Sequence, residues 1–247
     1  MQIYQNTDFY FFRKPHWIAS TFGKEKSFLD YYFLEKNSLE LDLISYKGID
    51  SFTTEYIDAQ IKSLNIELIQ DFSLYAEIIQ GLINIFWKEK EFWLLNRLDN
   101  DTWWLLYFAK SQEIYDKYKS DQQQNLVSKL YIAQTKGNPF FKLENKTINI
   151  NSPIMHHKFN KDRMVCLKNL WDEKKWTGKK HLVETNVSLL NFDNQSNIST
   201  LLISISKWIR HQIRVHLSSI WCPIIWESIY SNSKNIDFLH LWSVWFK

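Results

Sequence analysis

Tight turns, helix ends and close approaches of one backbone to another depend on glycine. This chain of 247 residues has five. An ordinary globular chain carries about 7% glycine. Tryptophan, in contrast, occurs twelve times. Together the two residues take about the share that glycine alone takes elsewhere. A fold of this length therefore closes its turns with bulkier residues, or tryptophans stand at positions that glycine would fill.

The remaining composition is that of a soluble chain. The hydrophobic fraction of 45% supports a substantial core, and 23% of residues are charged. A net charge of +3 permits a nucleic-acid partner without requiring one, because a patch matters more than a sum. Cys166 and Cys222 make neither a disulfide framework nor a metal cluster, and two reduced cytosolic thiols are expected. No basic segment followed by an apolar run opens the chain, and the apolar runs are shorter than a membrane span. A cytoplasmic, monomeric protein with no membrane contact and no metal is expected. Lysine greatly outnumbers the five arginines, as an AT-rich gene would dictate. The few arginines are therefore informative.

Strands are expected where β-branched and aromatic residues cluster between turn signals. Phe9-Tyr10-Phe11-Phe12 is one, ended by Pro15. Leu105–Ala109, Lys129–Thr135, His181–Leu190 and Thr200–Ser206 are others. Residues 24–86 carry helical spacing, with Leu74, Ile78, Leu82 and Phe86 on one apolar face. Ile209–Ile220 also reads as a helix. Interleaved strands and helices predict an α+β fold with a largely antiparallel, mixed sheet flanked by helices.

Three segments concentrate polar chemistry. Asn96-Arg97-Leu98-Asp99-Asn100-Asp101-Thr102 is a polar turn between apolar stretches, although acids in turns are usually solvated or capping. Lys129-Leu130-Tyr131-Ile132-Ala133 places one tyrosine in a strand, where packing is its default role. Ile209-Arg210-His211-Gln212-Ile213-Arg214 crowds donors onto one short helix, and an arginine fork there suits a phosphate or a carboxylate.

Together these segments resemble the RluA-type RNA pseudouridine synthases. Leu95-Asn96-Arg97-Leu98-Asp99 is similar to that family's His-Arg-Leu-Asp signature. Lys129–Gly137 resembles its Lys-x-Tyr-x-Ala strand, and Arg210-His211-Gln212-Ile213-Arg214-Val215-His216 its Thr-His-Gln-Ile-Arg-x-His segment. Lys14-Pro15-His16-Trp17, Cys222-Pro223-Ile224 and Leu239-His240-Leu241 fit further motifs, all in family order. Asn96 replaces the usual His, the arginine at 210 is displaced by one position, and Glu227 stands for the usual Asp.

The resemblance implies a single catalytic domain over 1–247 with a central active-site cleft. A helical insertion around 24–86 is expected, and no preceding S4 domain. It implies isomerisation of uridine in structured RNA, ribosomal or transfer, without a cofactor. Asp99 becomes the nucleophile or charge-stabilising carboxylate. Tyr131 stacks on the base and helps remove the C5 proton. Arg214 pairs with Asp99. The target base is flipped out of its stack. Arg97, Thr102, His211, Gln212, Arg210, Lys14, Lys179 and Lys180 become RNA contacts. Two other readings remain open: an RNA-binding relative without activity, and an aromatic-rich module that stacks single strands or sugars on its indoles.

Trp17, Trp103, Trp104, Trp208, Trp221 and Trp226 fall where the family pattern has glycine or another small residue, and Trp93 lies at a further plausible glycine site. One replacement type at scattered sites points to UGA codons that mean glycine in the source organism.

Overall fold

The structure is a computed structural model. It describes residues 3–14, 19–20, 27, 55–56, 59, 67–68, 77–78, 81, 93–140, 146–168, 176–231 and 238–246. These fall into two compact units, Met1–Gln124 with Trp242–Val244, and Asn125–Leu241 with Trp245–Lys247.

The first unit contains strands β1 (Ile3–Gln5), β2 (Phe9–Lys14), β3 (Glu67–Leu68) and β4 (Trp103–Ala109). Helix α1 (Gln112–Gln123) follows β4. Their order is β3-β1-β2-β4, and Trp242 and Ser243 pair in parallel with Trp103 and Trp104 of β4. The β1–β2, β1–β3 and β2–β4 pairings are antiparallel. The β1–β2 turn is made by Asn6, whose Oδ1 accepts from the backbone N–H groups of Asp8 and Phe9. Phe11 and Phe12 point to opposite faces of β2, yet both are fully buried. Leu105 to Ala109 are buried as well. Strands covered on both faces need continuous apolar runs rather than alternation, which is how these two segments read. Phe11 meets Tyr107 and Phe12 meets Phe108 edge to face, with centroids 5.8 and 5.0 Å apart.

The second unit contains β5 (Lys129–Lys136), β6 (Thr147–Ile150), β7 (Ile154–His157), β8 (Met164–Cys166), β9 (Trp176–His181), β10 (Thr185–Asp193) and β11 (Ile198–Ile205). It also holds helix α2 (Gln212–Ser219). One antiparallel sheet runs β5-β11-β10-β6 and a smaller one β8-β7-β9. Ile154, Met164, Cys166, Val183 and Val215 form a core between the small sheet and α2. The last strand, β12, spans Leu241–Phe246.

The result is α+β with largely antiparallel sheets, as expected. Four expected strands appear as β2, β4, β5 and β11 with shifts of up to two residues at their ends. The fifth, expected at His181–Leu190, is divided between the last residue of β9 and β10. The helix expected from Ile209 begins at Gln212, because His211 has a left-handed φ of 56° and cannot continue a helix. The helical stretch expected at 24–86 lies mostly outside the described residues, and within it Glu67–Leu68 forms β3. Among the described residues no helix is long and apolar enough to cross a membrane.

Candidate active site

The loop from Asn96 to Thr102 is held by side chains reaching into its backbone. Asn96 is buried, donates from Nδ2 to the Leu105 carbonyl (3.0 Å) and accepts at Oδ1 from Tyr107 N–H (2.8 Å). It thereby ties the start of the loop to β4. Ser20 Oγ donates to the Leu98 carbonyl and accepts from the Leu98 N–H, at 3.0 and 2.9 Å. The Thr102 N–H reaches the Asp99 carbonyl at 3.0 Å and closes a four-residue turn. Lys14 Nζ donates to the Asn100 carbonyl at 3.1 Å. Asp99 is thus half-buried at the head of a turn whose backbone is fixed on several sides, while Arg97 projects into solvent.

Lys14 is fully buried, and burial pushes its ammonium down to about 7 although Asp99 and Asp101 favour the charged form. This corrects the expected phosphate contact: an ammonium with no exposed surface supports the loop from within. Thr102 is also buried and offers RNA no surface.

In the second unit Tyr131 lies in the middle of β5, opposite Ile203 of β11, and is 6% exposed. Arg214 is on α2, buried to 1% exposure. Its Nε donates to Oε2 of Glu227 at 2.7 Å and its Nη2 to Oε1 at 2.8 Å. Glu227 is completely buried, and its Oε1 also accepts the N–H groups of Ile229 (2.9 Å) and Tyr230 (3.3 Å). Sequence reasoning noted Glu227 only as a departure from pattern. The fork of Arg214 and the single carboxylate of Glu227 form a two-pronged buried ion pair.

The expected RNA contact by Gln212 is corrected by the partners of its amide. Gln212 Oε1 accepts from Ile209 N–H, and its Nε2 donates to the Glu184 carbonyl and Thr185 Oγ1. Its amide is committed inside the unit, so it organises the start of α2 rather than contacting RNA. His211 Nδ1 lies 2.9 Å from the Tyr230 hydroxyl, which accepts from Met164 N–H at 2.8 Å. His216, buried between Thr185 Oγ1 and the Ser152 carbonyl, has its pKa lowered by desolvation. Tyr230 joins the cap residue of α2 to β8 through one hydroxyl.

Arg210, Lys179 and Lys180 are exposed. Arg210 Nη1 donates to the Lys161 carbonyl at 3.1 Å, and Nη2 lies 3.5 Å from Asp162 Oδ1. Cys166 and Cys222 are both buried. Among the described residues no three His, Cys, Asp or Glu side chains converge as a metal-binding set.

A sequence model of the RNA pseudouridylate synthase family matches residues 86–219, which include Asp99, Tyr131 and Arg214. The chain belongs to this family. It is 32% identical over 142 residues to ribosomal large subunit pseudouridine synthase D of Nitrosomonas europaea, covering 57% of this chain and 36% of that protein. It is 29% identical over 144 residues to an uncharacterized RNA pseudouridine synthase of Helicobacter pylori, covering 58% of this chain and 52% of the relative. The matches thus span about half or less of these relatives' length. Among solved structures, human RNA pseudouridylate synthase domain containing 1 superposes with a TM-score of 0.59 at 13% identity, over 99% of this chain and 76% of that one. Human RNA pseudouridylate synthase domain containing 4 does so with a TM-score of 0.54 at 16% identity, over 98% and 81%. These two likenesses show the fold.

Two stability measurements follow from this geometry. Glu227→Ala leaves a buried guanidinium without its carboxylate and is expected to cost about 3–5 kcal/mol in denaturant unfolding. A loss below about 1 kcal/mol would mean that the pair contributes no more than an exposed one. For Lys14, the unfolded chain holds a proton up to 10.5 that the folded chain releases near 7. The penalty is complete below that window, shrinks as pH rises through it and vanishes above. Unfolding free energy is therefore expected to gain about 1.4 kcal/mol per pH unit from this group within the window. Lys14→Met should remove that slope; an unchanged pH profile would contradict the assignment.

Proposed function

We propose that this chain isomerises uridine in RNA to pseudouridine, with Asp99 as the carboxylate that attacks or stabilises the reacting carbon. The observation that carries this reading is the family match over the segment holding Asp99, whose turn is fixed by Asn96, Ser20 and Lys14. A positioned carboxylate does not have to be ordered at the moment of reaction. The reaction breaks the bond from the sugar C1′ to N1 of uracil and forms one from C1′ to C5. N1 gains a proton and C5 loses one, so atoms balance without an oxidant. Tyr131 is the aromatic residue for the flipped base and for the C5 proton. Arg214 orients the carboxylate chemistry, with Glu227 holding its fork in one plane.

The RNA backbone is met by exposed cations: Arg97, Arg210, Lys179 and Lys180. The turn between β7 and β8 extends this set, with exposed Lys158 and Lys161 around Phe159, which is 79% exposed. An exposed ring among cations suits an unpaired base stacked above a phosphate contact. A broad platform of indoles, in contrast, is not favoured, because Trp103 and Trp242 are buried. Whether the RNA is ribosomal or transfer is a matter of which structured RNA reaches these cations, and the reading extends to one catalytic domain acting as a monomer.

The test is release of tritium from C5-labelled uridine in a structured RNA. Asp99→Asn is expected to reduce turnover on the order of 10³-fold or more while RNA binding persists. Turnover that survives this substitution would refute the role of Asp99.

A further inference from the structure

Trp93 has φ 53°, and Trp221 and Trp226 each have φ 64°. A bulky L-residue in the left-handed region crowds its Cβ against the next carbonyl. The other described non-glycine residues with positive φ are Asn125, Asn197 and His211. Asparagine and histidine visit this region far more readily than other side chains. Tryptophan has no such local compensation.

Each of the three sites is one where the backbone asks for glycine. At the end of α2 the Cys222 N–H reaches the Leu217 carbonyl at 3.0 Å and the Trp221 N–H the Ser218 carbonyl at 3.1 Å. This paired closure puts residue 221 at the left-handed position after a helix, usually glycine. Its indole is 92% exposed. Glu227 N–H reaches the Ile224 carbonyl at 3.1 Å, so residue 226 is the third residue of a tight turn. A positive φ there is the glycine position of a type II turn. That turn brings Glu227 to Arg214. Residue 93 accepts from Ala109 N–H at 3.1 Å and leads into the bridge between Leu94 and Phe108. Its indole donates to Gln112 Oε1 at 2.8 Å on the surface, which leaves the backbone conformation unrelieved.

We infer that the functional protein carries glycine at 93, 221 and 226, inserted at UGA codons that its source organism reads as glycine. The inference is confined to these positions by the backbone: Trp103 and Trp104 lie in β4 with ordinary strand conformations. It is independent of the reaction proposed above.

Two measurements test it. The gene should have UGA at the three codons, and peptides of the protein isolated from its source organism should have the mass of glycine there. Separately, glycine and alanine are placed in turn at 221 and at 226. Both replacements remove the indole, but only glycine removes the Cβ, so each glycine variant should melt about 2–4 °C above its alanine counterpart. UGG codons, a tryptophan mass, or alanine variants at least as stable as the glycine ones would overturn the inference.

Discussion

The buried pair of Arg214 and Glu227 is the constraint on which the second unit's site depends. A guanidinium and a carboxylate removed from water cost more than most side chains can recover, unless every donor and acceptor is met in good geometry. Here two prongs and two backbone N–H groups meet the carboxylate. The pair therefore specifies more than it stabilises. It fixes the rotation of α2, the path of the turn at 224–227 and the start of the segment that ends in Tyr230. Tyr230 passes the constraint on to His211 and to β8. Strain or freedom at residue 226 reaches the guanidinium directly, since the turn residue precedes the carboxylate.

The first unit solves the parallel problem with neutral groups. The proposed role of Asp99 asks for a loop whose backbone is held in place. Asn96, Ser20 and Lys14 supply the anchors by bonding to backbone carbonyls and N–H groups. Lys14 is the unusual member. Its burial lowers the charge it would carry, so it acts here as a long donor more than as a cation.

How much of this was legible depends on whether a feature is local. β4, β5 and β11 were readable because well-buried strands need long β-branched and aromatic runs. Helix α1 was not, since only Tyr118 of its residues is buried and its signal is the Ser111 cap alone. Strands β6 to β8 are three or four residues long and exist through their partners, which no local pattern reveals. Asp99, Tyr131 and Arg214 stood out through motif order, and the partnership of Arg214 with Glu227 could not, because Glu227 lies thirteen positions further along, beyond the end of α2. Lys14 and Gln212 were misread for one reason: polar side chains look alike in sequence whether they face water or the interior. The tryptophans were misfits in the motifs first, and the backbone at 93, 221 and 226 gives that misfit a physical form.

The central claim is that these residues turn uridine into its carbon-linked isomer within an RNA chain. Nucleoside analysis of a structured RNA incubated with the glycine-carrying protein tests it most directly. The account predicts that uridine falls and pseudouridine rises by the same amount, with no change in RNA mass. RNA that is bound by the protein and recovered with its uridine unchanged would contradict it.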